Sequence, residues 1–129
     1  MNAARAYARA TSETASKERL MVLLFEAALR HMRVAAGHLE AKNAKEALPL
    51  LTKASDIVTE LAATLNPQTA PELAQTLGEV YLFVAERLAM GSVSKDARAV
   101  REAERAFAPI VEGFQQAVAS LAGNMVEAR

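Results

Sequence analysis

The sequence contains no cysteine and no tryptophan, only five glycines and four prolines, and aromatic side chains make up 5% of it. Without cysteine there is no disulfide framework, no thiol nucleophile and no thiolate metal site. Charge of either sign is not in excess: Lys+Arg number 15 and Asp+Glu number 15, a formal net charge of zero. That balance lacks the basic footprint of a nucleic-acid binder or of a protein held on anionic lipid. The longest purely apolar run, Leu20 to Phe25, falls far short of the roughly 20 residues that a membrane-spanning helix needs. Met1 to Ala10 carries Arg5 and Arg9 but no apolar stretch of a signal peptide. These absences lead us to expect no nucleic-acid partner, no membrane insertion and a cytoplasmic location.

What the chain does have is alanine, leucine and a helical rhythm. Hydrophobic types reach 52% of the 129 residues. A chain of this length suits one domain and buries roughly two-thirds of its unfolded surface, enough for a core without staples. Alanine is the best helix former, and strand-favouring β-branched residues are scarce here. The expected fold is all-α, an antiparallel up-down four-helix bundle with an N-terminal capping segment. The expected divisions are 1–15 for the cap, 16–122 for the bundle and 123–129 for a frayed tail.

Four helical segments follow from the periodicity. The first opens at Ser16 and runs to about Ala41, with Met21, Phe25, Ala28, Met32, Ala35 and Leu39 as its seam. Leu20, Val22, Leu23, Leu24 and Leu29 make its first half apolar nearly all round, which predicts a central helix. The second opens at Asn43, with Glu46 at capping-box spacing. Its seam is Ala47, Leu51, Ala54, Val58, Leu61 and Leu65, and Leu50 and Ile57 add a second seam beside it. Pro49 is expected to kink it or delay its start. Asn66 to Pro71 is the clearest break. The third opens there, with Thr69 and Glu72 as a capping box, Ala74, Leu77, Tyr81, Val84 and Leu88 as the seam, and Gly91 as the stop. The fourth opens near Ser94 and Asp96 and continues through Val100, Ala103, Phe107, Ile110, Phe114, Ala117 and Leu121, with a kink expected near Arg105 from Pro109.

A search for catalytic chemistry finds little. His31 and His38 share a face of the first helix, but Ala28 and Ala35 stand where a Glu-x-x-His metal motif needs glutamate. The five glycines are scattered and form no phosphate-binding loop. Arg98, Arg101 and Arg105 are interleaved with Asp96, Glu102 and Glu104, as on a solvated helix face. No enzyme activity, cofactor or metal is expected.

Apolar residues outside the seams are more informative. Leu82 and Phe83 sit among Gln75, Gly78, Glu79, Glu86 and Arg87, which read as solvent-facing, and Ile57 lies beyond the main seam of its helix. Either a loop or the N-terminal segment covers them, or they form an apolar groove for a partner helix. Ile57, Leu61, Leu77, Tyr81 and Leu82 are the candidate groove residues. The seam members Leu61, Leu77 and Tyr81 serve equally well as core, and Leu77 more readily so. Tyr7, among alanines, has an apolar body and a polar tip suited to covering such a groove.

Several stretches, in order over roughly residues 1 to 120, resemble the flagellar export chaperones of the FliS family. They are the segment with Tyr7, then Thr14-Ala15-Ser16 leading into Leu20 to Leu29; the run Lys53-Ala54-Ser55-Asp56-Ile57-Val58-Thr59-Glu60-Leu61; and Tyr81 followed by Arg87-Leu88 and Lys95-Asp96. Lys17 stands where the family commonly has proline, and Phe25-Glu26-Ala27 replaces its usual Tyr-Asp-Gly. The resemblance implies a cytoplasmic helical bundle that binds the disordered C-terminal part of flagellin. It would block premature assembly and present the subunit to the flagellar export apparatus. It also implies an N-terminal segment that folds back over the client groove. The free protein is expected to be a monomer or a weak dimer. The competing reading is a generic helical adaptor or homodimerising module, whose off-seam residues form the dimer interface.

Overall fold

A computed structural model describes residues 16–127, with side chains to residue 121. The expectations for Tyr7 and the N-terminal cap lie outside the described residues. Ser16 starts the first helix by accepting a hydrogen bond from the Arg19 N–H at 3.1 Å, the N-cap expected of it. Four helices follow: α1 Lys17–Glu40, α2 Ala44–Ala63, α3 Pro71–Ser94 and α4 Ala97–Glu127. No strand occurs among the described residues.

Each helix packs on its sequence neighbours, and α4 closes the ring against α1. The pairings run antiparallel. Glu40 meets Arg101 and Glu26 meets Gln115 across α1 and α4, while Arg87 meets Glu102 and Tyr81 meets Phe107 across α3 and α4. The architecture is the expected antiparallel four-helix bundle. Its core holds Phe25, Met32, Leu51, Ile57, Leu61, Val84, Leu88, Val100 and Phe107, all essentially fully buried. α1 is the central helix its sequence suggests: it carries the largest set of buried residues and packs extensively on both α2 and α4. Its surplus residues Val22 and Leu23 line a shallow groove beside Val118 of α4.

The ends of the helices depart from expectation in four places. α1 closes with paired backbone bonds, Lys42 N–H to Leu39 C=O and Asn43 N–H to His38 C=O, around Lys42 at φ 64°. That is a Schellman closure, usually built on glycine. Asn43 does begin α2, but its backbone serves the closure of α1 and its side chain makes no cap bond. Asn66 Oδ1 takes the N–H groups of Gln68 and Thr69. Thr69 is thereby drawn into the turn, and Ala70 becomes the N-cap of α3 in its place. Gly91 does not stop α3, which continues to Ser94 and ends on Lys95 at φ 54°. Asp96 Oδ1 then accepts from the N–H groups of Arg98 and Ala99 at the start of α4.

Neither internal proline ends its helix: α2 starts before Pro49 and α4 runs through Pro109 as one element. Both prolines are exposed, and so are Lys45 and Arg105 one turn earlier, whose carbonyls lose the proline partner. Water can satisfy those carbonyls, so the lost bonds are tolerated. α4 extends to Glu127.

Two predictions arise here. Lys42→Gly should stabilise the fold by about 0.5–1 kcal/mol, because glycine reaches the left-handed region without the Cβ clash that lysine bears. Urea denaturation checks it through the midpoint. The second concerns His31, half-buried on α1, whose pKa is lowered from 6.5 by desolvation first and by Arg30 and Lys53 second. A lowered folded-state pKa means that the unfolded chain takes the proton more readily. His31 therefore costs nothing above 6.5 and destabilises progressively as pH falls through 6.5 toward its folded value. His31→Gln should flatten the fall in stability between about pH 7.5 and pH 5.5; an unchanged slope would assign that fall to other groups.

Candidate functional site

An apolar opening of about 550 Å³ lies at the end of the bundle where α1 begins and α2 turns into α3. Met21 of α1, Leu65 after α2, Leu73, Ala74, Leu77 and Tyr81 of α3, and Phe114 of α4 supply its walls. The local sequence explains the opening. The connection 64–70 is held by the Asn66 turn and by Leu65, which packs against the core, and small residues such as Thr64, Thr69, Ala70 and Ala74 leave the opening beside it. A Cβ at Gly78 would stand in ordinary contact with Leu65 Cδ1, 3.7 Å away.

A row of aromatic rings leads from this cleft into the core. Phe114 stacks on Phe25 with centroids 4.3 Å apart, Phe25 meets Phe107 at 5.8 Å, and Phe107 meets Tyr81 at 6.4 Å. The cleft floor is therefore continuous with the buried core at Phe25 and Phe107. Burial pushes the Tyr81 phenol up to about 12, so it stays neutral across the physiological range. Lys17 is the charged residue among the cleft's lining groups. No group of three His, Cys, Asp or Glu side chains is placed to hold a metal among the described residues. The surface suits an apolar segment of a polypeptide better than a small polar substrate.

The candidate groove residues separate into three positions. Leu77 and Tyr81 line the cleft, Leu77 half-buried and Tyr81 3% exposed. Ile57 and Leu61 are each 1% exposed and belong to the core. For Ile57 this corrects the expectation of an available off-seam residue. α2 packs on both α1 and α3, so the second seam read from Leu50 and Ile57 is a second core contact. Leu82 is 63% exposed but stands outside the cleft, on the outward side of α3. Sequence reasoning missed Leu73 and Phe114 as cleft residues. Leu73 could have been noticed as a leucine just before the α3 seam. Phe114 is a regular seam member of α4, and nothing in its spacing marks it as open.

Of the arginines of α4, Arg98 and Arg105 are exposed, as expected of a solvated face, while Arg101 is engaged by carboxylates. Arg101 Nη2 and Nε donate to the two Glu40 carboxylate oxygens at 2.8 and 3.1 Å, and Nη1 donates to Glu104 Oε1 at 2.9 Å. Glu104 Oε2 in turn accepts from Arg33 Nε at 3.1 Å. These bonds tie the C-terminal half of α1 to the start of α4. They hold the Glu40 carboxyl below its usual value, the Arg101 hydrogen bond being the main cause. This chain of charges is a structural clamp at the end of the bundle remote from the cleft.

Comparison with known proteins bears on this geometry. The family model described as flagellar protein FliS matches residues 1–121. The flagellar secretion chaperone FliS of Bacillus subtilis is 28% identical over 89% of this chain and 85% of its own length. That of Salmonella typhimurium is 30% identical over 87% of each. A crystal structure of a bacterial flagellar chaperone superposes with a TM-score of 0.71 at 18% identity, covering 90% of this chain and 97% of that one. At that identity the superposition speaks to the fold.

Proposed function

The chain belongs to the FliS family, which is a family of flagellar chaperones and not of enzymes, and from that premise we propose that it binds the disordered C-terminal segment of flagellin. In this reading it acts in the cytoplasm, is a monomer or weak dimer when free, keeps the subunit from assembling early and delivers it to the flagellar export apparatus. The observation that carries the proposal is the apolar cleft walled by Leu73, Leu77, Tyr81 and Phe114. It offers an amphipathic segment a place to fold its apolar face as it binds. Ile57 and Leu61 serve it from behind, by fixing α2 against α3.

The test is calorimetric titration with a flagellin C-terminal fragment. One-to-one binding with a clearly negative heat-capacity change is expected, the signature of apolar burial and coupled folding. Absence of binding at tens of micromolar, about the range of a weak complex, rejects flagellin as the client. Leu73→Asp places a charge on the cleft wall at a residue 58% exposed. It should weaken binding about tenfold or more while the melting temperature stays nearly fixed, as at other surface sites. Ile57→Asp should instead unfold the bundle, because it strands a charge in the core.

The N-terminal segment, residues 1–15, belongs to the same proposal as a lid, with Tyr7 as its apolar plug. A cleft that is open one-tenth of the time binds with about tenfold weaker apparent affinity. Deleting residues 1–14, or Tyr7→Ala, should accordingly tighten client binding. Weaker binding after either change would make Tyr7 a direct contact, and unchanged binding would make the segment a bystander.

A further inference from the structure

The side of α3 that faces away from the bundle carries a second apolar surface, separate from the cleft. Leu82, Phe83, Met90 and Val93 are all exposed there, Val93 at 83%. Leu82 and Val93 lie on one side of a line through Glu79 and Glu86, and Phe83 and Met90 lie on the other, by the rotation of about 100° per residue in an α-helix. Leu77 and Tyr81, which line the cleft, project from the opposite side of the same helix. Single exposed leucines need no explanation, but four large apolar residues within three turns of one helix face do.

The charges on this helix are one-sided. α3 contains three acidic residues, Glu72, Glu79 and Glu86, and one basic residue, Arg87. The acids are seven residues apart, so they run along one face, and all three are exposed. Arg87 is turned to the edge, where its guanidinium lies 3.6 Å from Glu102 and 5.9 Å from the centre of the Phe83 ring. The outward face is thus a pair of apolar rows with an acidic line between them.

That pattern argues against a second copy of this chain as the occupant. Two-fold packing of α3 on α3 would lay one acidic line on the other. We propose that the outward face of α3 docks a basic amphipathic helix of a partner protein, at a site independent of the cleft. The partner's apolar side chains would sit on Leu82, Phe83, Met90 and Val93, and its lysines or arginines would meet Glu79 and Glu86.

The test uses the full chain and two labelled synthetic peptides of the same apolar heptad pattern, one with lysine and one with glutamate at its polar positions, read by fluorescence anisotropy. The lysine peptide should bind at least about tenfold more tightly than the glutamate peptide and should weaken as salt is raised. Glu79→Lys together with Glu86→Lys should reverse that preference, and Glu46→Lys on α2, an exposed acid elsewhere, should leave it unchanged. Leu82→Ser with Val93→Ser should weaken lysine-peptide binding about tenfold without lowering the melting temperature. Equal binding of the two peptides, or a preference that survives Glu79→Lys/Glu86→Lys, overturns the proposal. So does binding that appears only after residues 1–14 are removed, which would assign the face to the chain's own terminus. Concentration-dependent dimerisation abolished by Leu82→Ser would assign it to a second copy and overturn it equally.

Discussion

Phe107→Ala should cost about 3–5 kcal/mol of folding stability, the range for truncating a fully buried aromatic. In a domain of this size that lowers the melting temperature by about 10–20 °C. Phe107 is completely buried on α4 and touches the rings of both Phe25 on α1 and Tyr81 on α3. It links α1 and α3, whose backbones do not approach closely, through its contacts with Phe25 and Tyr81. Its loss also removes the support under Tyr81 and, through Phe25, under Phe114. A second consequence is therefore expected at the cleft: client affinity should fall even at temperatures where the variant is folded. Thermal denaturation followed by titration well below the midpoint separates the two effects. A loss below about 1 kcal/mol would mean that the neighbouring side chains close the cavity.

Gly91→Leu should be the most damaging change at a glycine. The expected net loss is about 2 kcal/mol or more, overpacking being offset in part by the better helix propensity of leucine. Gly91 is buried where α3 and α4 come together just before their connection, and a Cβ there would overlap Val100 Cγ2. Valine in a helix has one strongly preferred rotamer, so Val100 has little freedom to withdraw. Leu51 Cδ1 and the Asp96 carbonyl close the remaining sides. A double-mutant cycle with Val100→Ala is the decisive measurement. Relief of part of the loss, a coupling of about 0.5–3 kcal/mol, is expected if the clash with Val100 is its cause. Additive effects would place the strain elsewhere.

Gly91 also shows where sequence reading reaches its limit. A glycine near the end of an amphipathic run reads as a helix stop, yet here it serves a close approach of two helices, and Lys95 provides the left-handed closure. The same local pattern fits both, and only the position of α4 distinguishes them. The four helices and their seams were legible because burial in a bundle follows the 3.6-residue period directly. Asn43 is the N-cap it was read as but makes no side-chain cap bond, and Thr69 was misread as a cap, because each residue's backbone is engaged in closing the preceding turn. Pro49 and Pro109 were expected to kink or delay their helices, and each lies inside one continuous helix at an exposed position.

The candidate site divides along the same line. Tyr81 and Leu77 were recoverable from the α3 seam. Ile57 was misassigned because a helix with two buried neighbours and a helix with one exposed groove have the same wide apolar arc. Phe114 was hidden for the opposite reason, as a regular seam residue that stacks on Phe25 and still lines the cleft.

The ring of helices is not uniformly fastened. α1 holds α2 and α4 extensively, and α4 holds α3, while α2 and α3 share the thinnest contact. Local openings follow the weakest joint, so backbone amides do not all become solvent-accessible together. Amides in the last turn of α2 and the first turns of α3 should exchange with deuterium earliest. Those around Met32, Leu51 and Phe107 should exchange last, at a rate set by global unfolding. The protein would then open along one edge, the edge at which the cleft lies, without releasing the remaining three joints.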